Sequence, residues 1–225
     1  MPPLYLQQLQ LGPMQNFVYL LGDPGTKEAA VVDPAWNVPA ILKRVREDGY
    51  RLTHVILTHG HYDHINGVEE VVAATDATVC AQKRELEEFI AEGVGGLVIP
   101  PSSLKKTAHG ESVRVGGLEV RLIPTPGHTP GSQCLWARPP GAREPVLLTG
   151  DTLFVGTIGR CDFPYSSPRE LYGSLTKLKA LEDETVFYPG HDYGRSPANT
   201  LGREKKTNPY FLAQDAGQFL AMVRR

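Results

Sequence analysis

Cysteine is scarce in this chain: Cys80, Cys134 and Cys161 are the only three among 225 residues, widely separated and without a CxxC pair. An odd, scattered set argues against a disulfide framework and for a reducing compartment. No apolar run approaches the roughly 20 residues of a membrane span. The opening Met1-Pro2-Pro3-Leu4-Tyr5 lacks the charged and apolar regions of a signal peptide. A soluble, cytoplasmic protein is therefore the expectation. Neither sign of charge dominates: 23 Lys and Arg against 25 Asp and Glu leave a net charge of -2. With no basic field, neither nucleic acid nor a membrane surface is an expected partner. Tandem repeats, low-complexity tracts and interdomain linkers are also missing, so residues 1–225 are expected to form one domain large enough to bury its own core.

What is present is an alternation of short β runs and amphipathic helices. Leu4 to Leu11, Phe17 to Leu21 and Ala29 to Val32 read as a meander punctuated by Gly12-Pro13 and Asp23-Pro24-Gly25. A helix is expected from Val38 to Glu47, with Pro39 in its first turn and Gly49 ending it. The doubly buried strand Thr53 to Leu57 then runs into Thr58-His59-Gly60-His61-Tyr62-Asp63-His64, with a helix from Ile65 to Ala74 after it. Further on, a charged helix is expected from Lys83 to Ala91, and the Gly/Pro/Ser stretch from Gly93 to Ser103 reads as a flexible loop near the site. Strands near Leu118 to Ile123, Val146 to Thr149 and Thr185 to Tyr188 end at Pro124-Thr125-Pro126-Gly127-His128, Gly150-Asp151 and Pro189-Gly190-His191. Four strands thus end in a His or an Asp. Helices follow from Pro168 to Ala180 and from Ala213 to Val223, and the mixture suggests two sheets covered outside by helices.

The cluster His59-x-His61-x-Asp63-His64 places three imidazoles and a carboxylate within six positions on a strand-to-helix turn. Neutral imidazole and carboxylate suit zinc, iron and manganese, and a turn can direct adjacent residues to different metals. His128, Asp151 and His191 sit in glycine-rich turns that admit close backbone approach. Any one of these alone reads as a surface histidine or a helix-capping aspartate. Seven together at the ends of strands read as ligands for two metals. His54, beside an apolar strand, and His109, in a polar turn, read instead as structural or solvated.

Thr58-His59-Gly60-His61-Tyr62-Asp63-His64, with Pro126-Gly127-His128-Thr129-Pro130-Gly131, Gly150-Asp151 and Pro189-Gly190-His191, resembles the metallo-β-lactamase superfamily over nearly the whole chain. The resemblance implies an α+β fold, an αββα sandwich of two mixed sheets covered by outer helices, with the site at one edge of the sheets. It implies that His59, His61 and His128 hold one metal, that Asp63, His64 and His191 hold the other, and that Asp151 bridges them. A β-lactamase activity is disfavoured, because the lactamases that use a cysteine ligand place it where this chain has Asp151.

Gly150-Asp151-Thr152-Leu153-Phe154 followed by Gly159-Arg160-x-Asp162-Phe163 is similar to the glyoxalase II and persulfide dioxygenase branch. That branch acts on glutathione derivatives. Thr200-Leu201-Gly202-Arg203-Glu204 leading to Asn208-Pro209-Tyr210 resembles small glyoxalase II-like hydrolases, whereas His191-Asp192-Tyr193 and the short tail look more like persulfide dioxygenases. The longer basic C-terminal region by which glyoxalase II proper holds glutathione is not expected here.

The leading expectation is a hydrolase of a thioester such as a hydroxyacylglutathione. It would use two divalent metal ions, zinc first, with Asp63 and Asp151 as catalytic groups. The alternative is a persulfide dioxygenase oxidising glutathione persulfide to sulfite with one Fe(II) held by His59, His128 and Asp151, two histidines and a carboxylate being the facial triad of non-haem iron. Arg160 is a candidate for a substrate carboxylate or else an ion pair with Asp162. Tyr193 either lines the pocket or packs. The expected partner is a small thiol-derived molecule, and a homodimer is left open.

Overall fold

The computed structural model describes residues 4–90, 97, 99–108, 110–139 and 141–223. Its first sheet runs in the order β1 (Tyr5–Leu11), β2 (Asn16–Asp23), β3 (Glu28–Val32), β4 (Arg51–Ile56), β5 (Thr78–Gln82) and β6 (Leu104–Thr107). The meander β1–β2–β3 is antiparallel, and β3 to β6 pair in parallel. The second sheet begins with β7 (Ser112–Val115), β8 (Leu118–Pro124), β9 (Gln133–Ala137) and β10 (Val146–Gly150). A hairpin of β11 (Leu153–Phe154) and β12 (Thr157–Ile158) stands apart, and β13 (Val186–Pro189) and β14 (Asn199–Thr200) complete the second sheet in the order β14-β13-β10-β9-β8-β7. Only the β10–β13 pair in that sheet is parallel.

Pleating explains the layers. Along β2, Phe17, Tyr19 and Leu21 join the apolar cluster between the sheets, while Val18 and Leu20 join the cluster behind them. Strand β3 repeats this with Ala30 and Val32 against Ala29 and Val31, as a period of two requires. From the other side Val120, Leu122, Leu135 and Leu148 complete the shared middle.

The outer face of the first sheet is covered by α1 (Val38–Glu47), with Val38, Ile41 and Val45, and by Val68, Val71 and Val72 of a later helix. Between β4 and β5 lie α2 (Tyr62–Ile65) and that helix, α3 (Val68–Thr75); α4 (Lys83–Glu85) follows β5 directly. The outer face of the second sheet is covered by α5 (Pro168–Lys179), α6 (Leu201–Thr207) and α7 (Ala216–Val223), which bring Leu171, Leu175, Leu178, Leu201 and Phe219 onto Cys134, Leu147 and Phe187. This is the αββα sandwich, α+β in class, that the resemblance implies. Among the described residues no helix is long and apolar enough to cross a membrane. All three cysteines are buried and free.

Several expected elements differ in detail. The helix expected from Ile65 to Ala74 is split into α2 and α3. The break lets Asn66 Oδ1 accept the Trp36 N–H at 2.7 Å and the Gly67 N–H reach Pro34 O at 3.0 Å. The charged helix from Lys83 narrows to α4 and widens into a π turn over Leu86–Ile90. Strand β6 pairs with β5 just beyond the expected loop Gly93 to Ser103, whose residues 93–96 and 98 lie outside the described residues, as does His109. Periodicity gave no warning of the β11–β12 hairpin, because two-residue strands are too short to show alternation.

Candidate metal centre

The C-terminal ends of β4, β8, β10 and β13 converge at one rim of the sandwich, and each delivers its His or Asp there. His59, His64, His128 and His191 are each at most 4% exposed, so these imidazoles need polar partners. Each has one on the ring nitrogen that faces away from the centre. Thr58 Oγ1 donates to Asp33 Oδ2 at 2.5 Å, and so accepts from His59 Nδ1 at 3.0 Å. His64 Nδ1 donates to Asp33 Oδ2 at 3.1 Å, His128 Nδ1 to Arg160 O at 2.6 Å and His191 Nδ1 to Met14 O at 2.8 Å. His61 is turned the other way, its Nε2 donating to the Tyr165 hydroxyl at 2.8 Å. Proton positions here follow from the partners.

Five imidazole nitrogens are left facing inward. His59 Nε2 and Asp151 Oδ1 are buried without a hydrogen-bond partner. His61 Nδ1 and His128 Nε2 face each other at 2.9 Å, and His64 Nε2 and His191 Nε2 at 3.1 Å. Among the described residues the donor atoms form the nests His59/His61/His128 and Asp63/His64/His191, each with ligand atoms within 4.8 Å of one another, and a third group, Asp33/His59/His64, in which Asp33 is already hydrogen-bonded to His64. Asp151 lies between the first two, with Oδ2 3.6 Å from His128 Nε2 and 3.3 Å from His191 Nε2 and Oδ1 3.4 Å from His64 Nε2. Orphaned buried acceptors and ring nitrogens aimed at each other fit divalent cations, since neutral imidazole and carboxylate are their ligand forms.

The electrostatics of His59, His61 and His128 agree with that fit, and those of His64 oppose it. Burial pushes His59 well below its ordinary range, helped by His64, and lowers His61 to about 4 and His128 as well. Burial would also lower His64, but the carboxylates of Asp151, Asp33 and Asp63 outweigh it and raise His64 to about 9. Burial alone would raise Asp151, yet His64 and His191 hold it well below the carboxylate range. Without metal, His64 thus keeps its proton at neutral pH, with its stabilising contribution present below the ordinary imidazole value and lost as pH rises through about 9. Metal entering the Asp63/His64/His191 nest must displace that proton. Zinc titration of the metal-free protein at pH 7, in buffers of different ionisation enthalpy, is expected to show release of about one proton per chain. No release would show that His64 is already neutral.

The sequence model of the Metallo-beta-lactamase superfamily matches residues 11–191. The chain belongs to this superfamily. Hydroxyacylglutathione hydrolase of Methylobacterium nodulans is 33% identical, with 88% of this chain and 83% of the relative covered. A probable polyketide biosynthesis zinc-dependent hydrolase of Bacillus velezensis is 29% identical over 93% of this chain and 88% of its own. ETHE1 from Myxococcus xanthus superposes with a TM-score of 0.82 at 33% identity, covering 98% of this chain and 90% of its own. TTHA1623 in a di-iron-bound form gives 0.71 at 32% identity, over 91% and 99%. These relatives set the chain in the glyoxalase II and ETHE1 branch of the metallo-β-lactamase superfamily, and a metal-dependent enzyme is what they support.

All seven residues expected as ligands in this metallo-β-lactamase fold are brought to one centre. The two expected substrate residues are placed differently from each other. The Tyr193 ring stacks on His191 with centroids 4.5 Å apart, and half of it is exposed. Arg160 lends its carbonyl to His128, but its guanidinium is solvent-facing and bidentate with Asp162 at 2.9 Å for both bonds, the ion-pair alternative. His54 stays in β4, bonded to its neighbour Thr53.

Four residues escaped the sequence reading: Asp33, Asn16, Tyr165 and Glu85. Asp33 holds both Thr58 and His64. Asn16 donates to Asp63 Oδ2 at 2.9 Å and accepts from the Trp36 indole at 2.9 Å. The Val32-Asp33-Pro34 strand end carried the same signature as the other ligand turns.

Proposed function

We propose that this chain hydrolyses a thioester of the hydroxyacylglutathione class at a two-metal centre formed by His59, His61 and His128, by Asp63, His64 and His191, and by Asp151 between them. The observation that carries this reading is that the second nest is complete: Asp63 Oδ2 lies 3.6 Å from His64 Nε2 and 3.4 Å from His191 Nε2. Metal ions held there would lower the pKa of water towards about 7 and polarise the substrate carbonyl. The residues supply the rest. Asp63, kept in place by Asn16, and Asp151 orient the attacking water, and Asp63 is placed to take its proton. As the water oxygen bonds to the carbonyl carbon the C–S bond breaks. The thiolate leaves without a strong general acid.

The thiol carrier is assigned to a cleft of about 760 Å³ that begins at Tyr193 and is lined by Val155, Gly156, Arg195, Asn199 and Arg203. Glu204, also in its wall, has its carboxylate taken up by the Gly156 N–H and by Asn199 and Asn208. The arginines leave the cleft suited to a carrier with carboxylate groups. Arg160 could join only by leaving Asp162. Arg195→Ala is expected to raise KM for S-lactoylglutathione about tenfold with kcat little changed, as loss of binding common to ground and transition states does. An unchanged KM would remove the cleft from the reading.

The ETHE1 likeness supports a second reading, oxidation of a glutathione persulfide at one Fe(II) held by His59, His128 and Asp151. One preparation offered S-lactoylglutathione and then glutathione persulfide beside an oxygen electrode separates the two. Thioester turnover without oxygen uptake is expected. Oxygen consumed with the persulfide and an inert thioester would replace the first reading by the second.

A further inference from the structure

Glu85 is a carboxylate that no step above uses, at the junction of α4 and its π turn, and it is 2% exposed. Its surroundings are specific. Oε1 accepts the Gly60 N–H at 2.6 Å, and Oε2 accepts the Gly131 N–H at 2.7 Å and the Thr129 hydroxyl at 2.8 Å. Gly60 stands between His59 and His61, and Thr129 directly follows His128. One buried carboxylate therefore binds both loops that carry the three-histidine nest. The contact is close: a Cβ on Gly131 would lie 2.2 Å from the Glu85 backbone nitrogen, so no side chain fits there without moving one of the two segments. On Gly60 it would lie 2.8 Å from Ile90 and 2.9 Å from Phe89, in the same π turn.

The other nest is held by different groups. Asn16 fixes Asp63, Asp33 fixes His64, and Met14 O fixes His191. None of these contacts involves Glu85. We propose that Glu85 is a positioning residue for one metal site: it sets the spacing of the His59–His61 loop against the His128 loop, and so the affinity of the three-histidine nest, while the Asp63/His64/His191 nest does not depend on it. The inference rests on the metal centre and not on which reaction the centre performs.

Burial raises the Glu85 carboxyl to about 7, against the pull of its three donors. The geometry does not depend on that value, because all three partners are donors and only an acceptor at this position satisfies them. In Glu85→Gln one end of the amide becomes a donor, so one of the two loops loses its acceptor and the clamp is halved. In Glu85→Ala both loops lose it.

Metal-free protein titrated calorimetrically with zinc provides the test, and it needs no substrate. The binding step that His128→Ala abolishes identifies the three-histidine nest, and the step that His191→Ala abolishes identifies the other. Glu85→Ala is expected to weaken the first step about 10- to 100-fold, the range for groups that orient metal ligands, and to leave the second within about threefold. Glu85→Gln is expected to fall between wild type and Glu85→Ala, and it carries the test if Glu85→Ala does not fold. A folded variant in which both steps weaken equally would reduce Glu85 to a general packing role and overturn the proposal. So would an unchanged first step.

Discussion

His128→Ala is expected to abolish turnover, with a loss on the order of 10³-fold or more, because in the proposed mechanism water activation at neutral pH depends on a metal that His128 would help hold. The position leaves little room for substitution. His128 Nδ1 is tied to Arg160 O, so its Nε2 is fixed towards His61 and Asp151. Elemental analysis should show less bound metal in His128→Ala and His59→Ala. His54→Ala, whose ring bonds to Thr53 within β4, should keep both metal and rate. His109→Ala, in a polar turn of the sequence, is expected to behave likewise. Wild-type metal content and rate in His59→Ala would contradict the ligand assignment.

Asp33→Ala is expected to cost about 3 kcal/mol, because removing one partner of a buried polar network leaves the others unpaired. Asp33 is 3% exposed and accepts from the Thr58 N–H at 2.7 Å, the Thr58 hydroxyl and His64. For a chain of this size the loss corresponds to a fall in Tm of roughly 6–12 °C in thermal unfolding. The residue also has a φ of +50°, a left-handed conformation that Asp and Asn tolerate better than Ala. Asp33→Asn separates the two causes: it keeps the backbone preference and loses the charge facing His64. The Asn variant is expected to recover part of the stability but to bind metal about 10- to 100-fold more weakly at the Asp63/His64/His191 nest. Full metal affinity in Asp33→Asn would show that the carboxylate acts on the backbone alone.

The seven residues that converge at the rim were legible in the sequence because they cluster at or soon after the ends of buried strands, in or beside turns with glycine or proline. Period and punctuation together place such residues at one rim of a sandwich. Asp33 had the same setting but stood alone beside a proline, where a single aspartate reads as a turn former. Glu85 was concealed differently. In Lys83-Arg84-Glu85-Leu86-Glu87-Glu88 it looks like one more solvent-facing charge, and Arg84 does pair at the surface with Glu88 and Glu170. Its burial arises only when loops 25 and 46 residues away close over it. Asn16 and Tyr165 meet Asp63 and His61 across 47 and 104 residues, contacts that no local pattern announces. The split of the helix after His64 likewise depends on tertiary partners, Pro34 and Trp36, rather than on propensity.

Two metal ions are proposed to occupy two nests sharing Asp151. Diffraction from crystals of protein purified without added metal or chelator, with anomalous data collected on both sides of the zinc and iron edges, counts, identifies and locates the ions in one measurement. Two ions are expected roughly 3.5–4 Å apart, one among His59, His61 and His128 and one among Asp63, His64 and His191, with Asp151 reaching both. A single iron on His59, His128 and Asp151, with no ion beside His191, would contradict it.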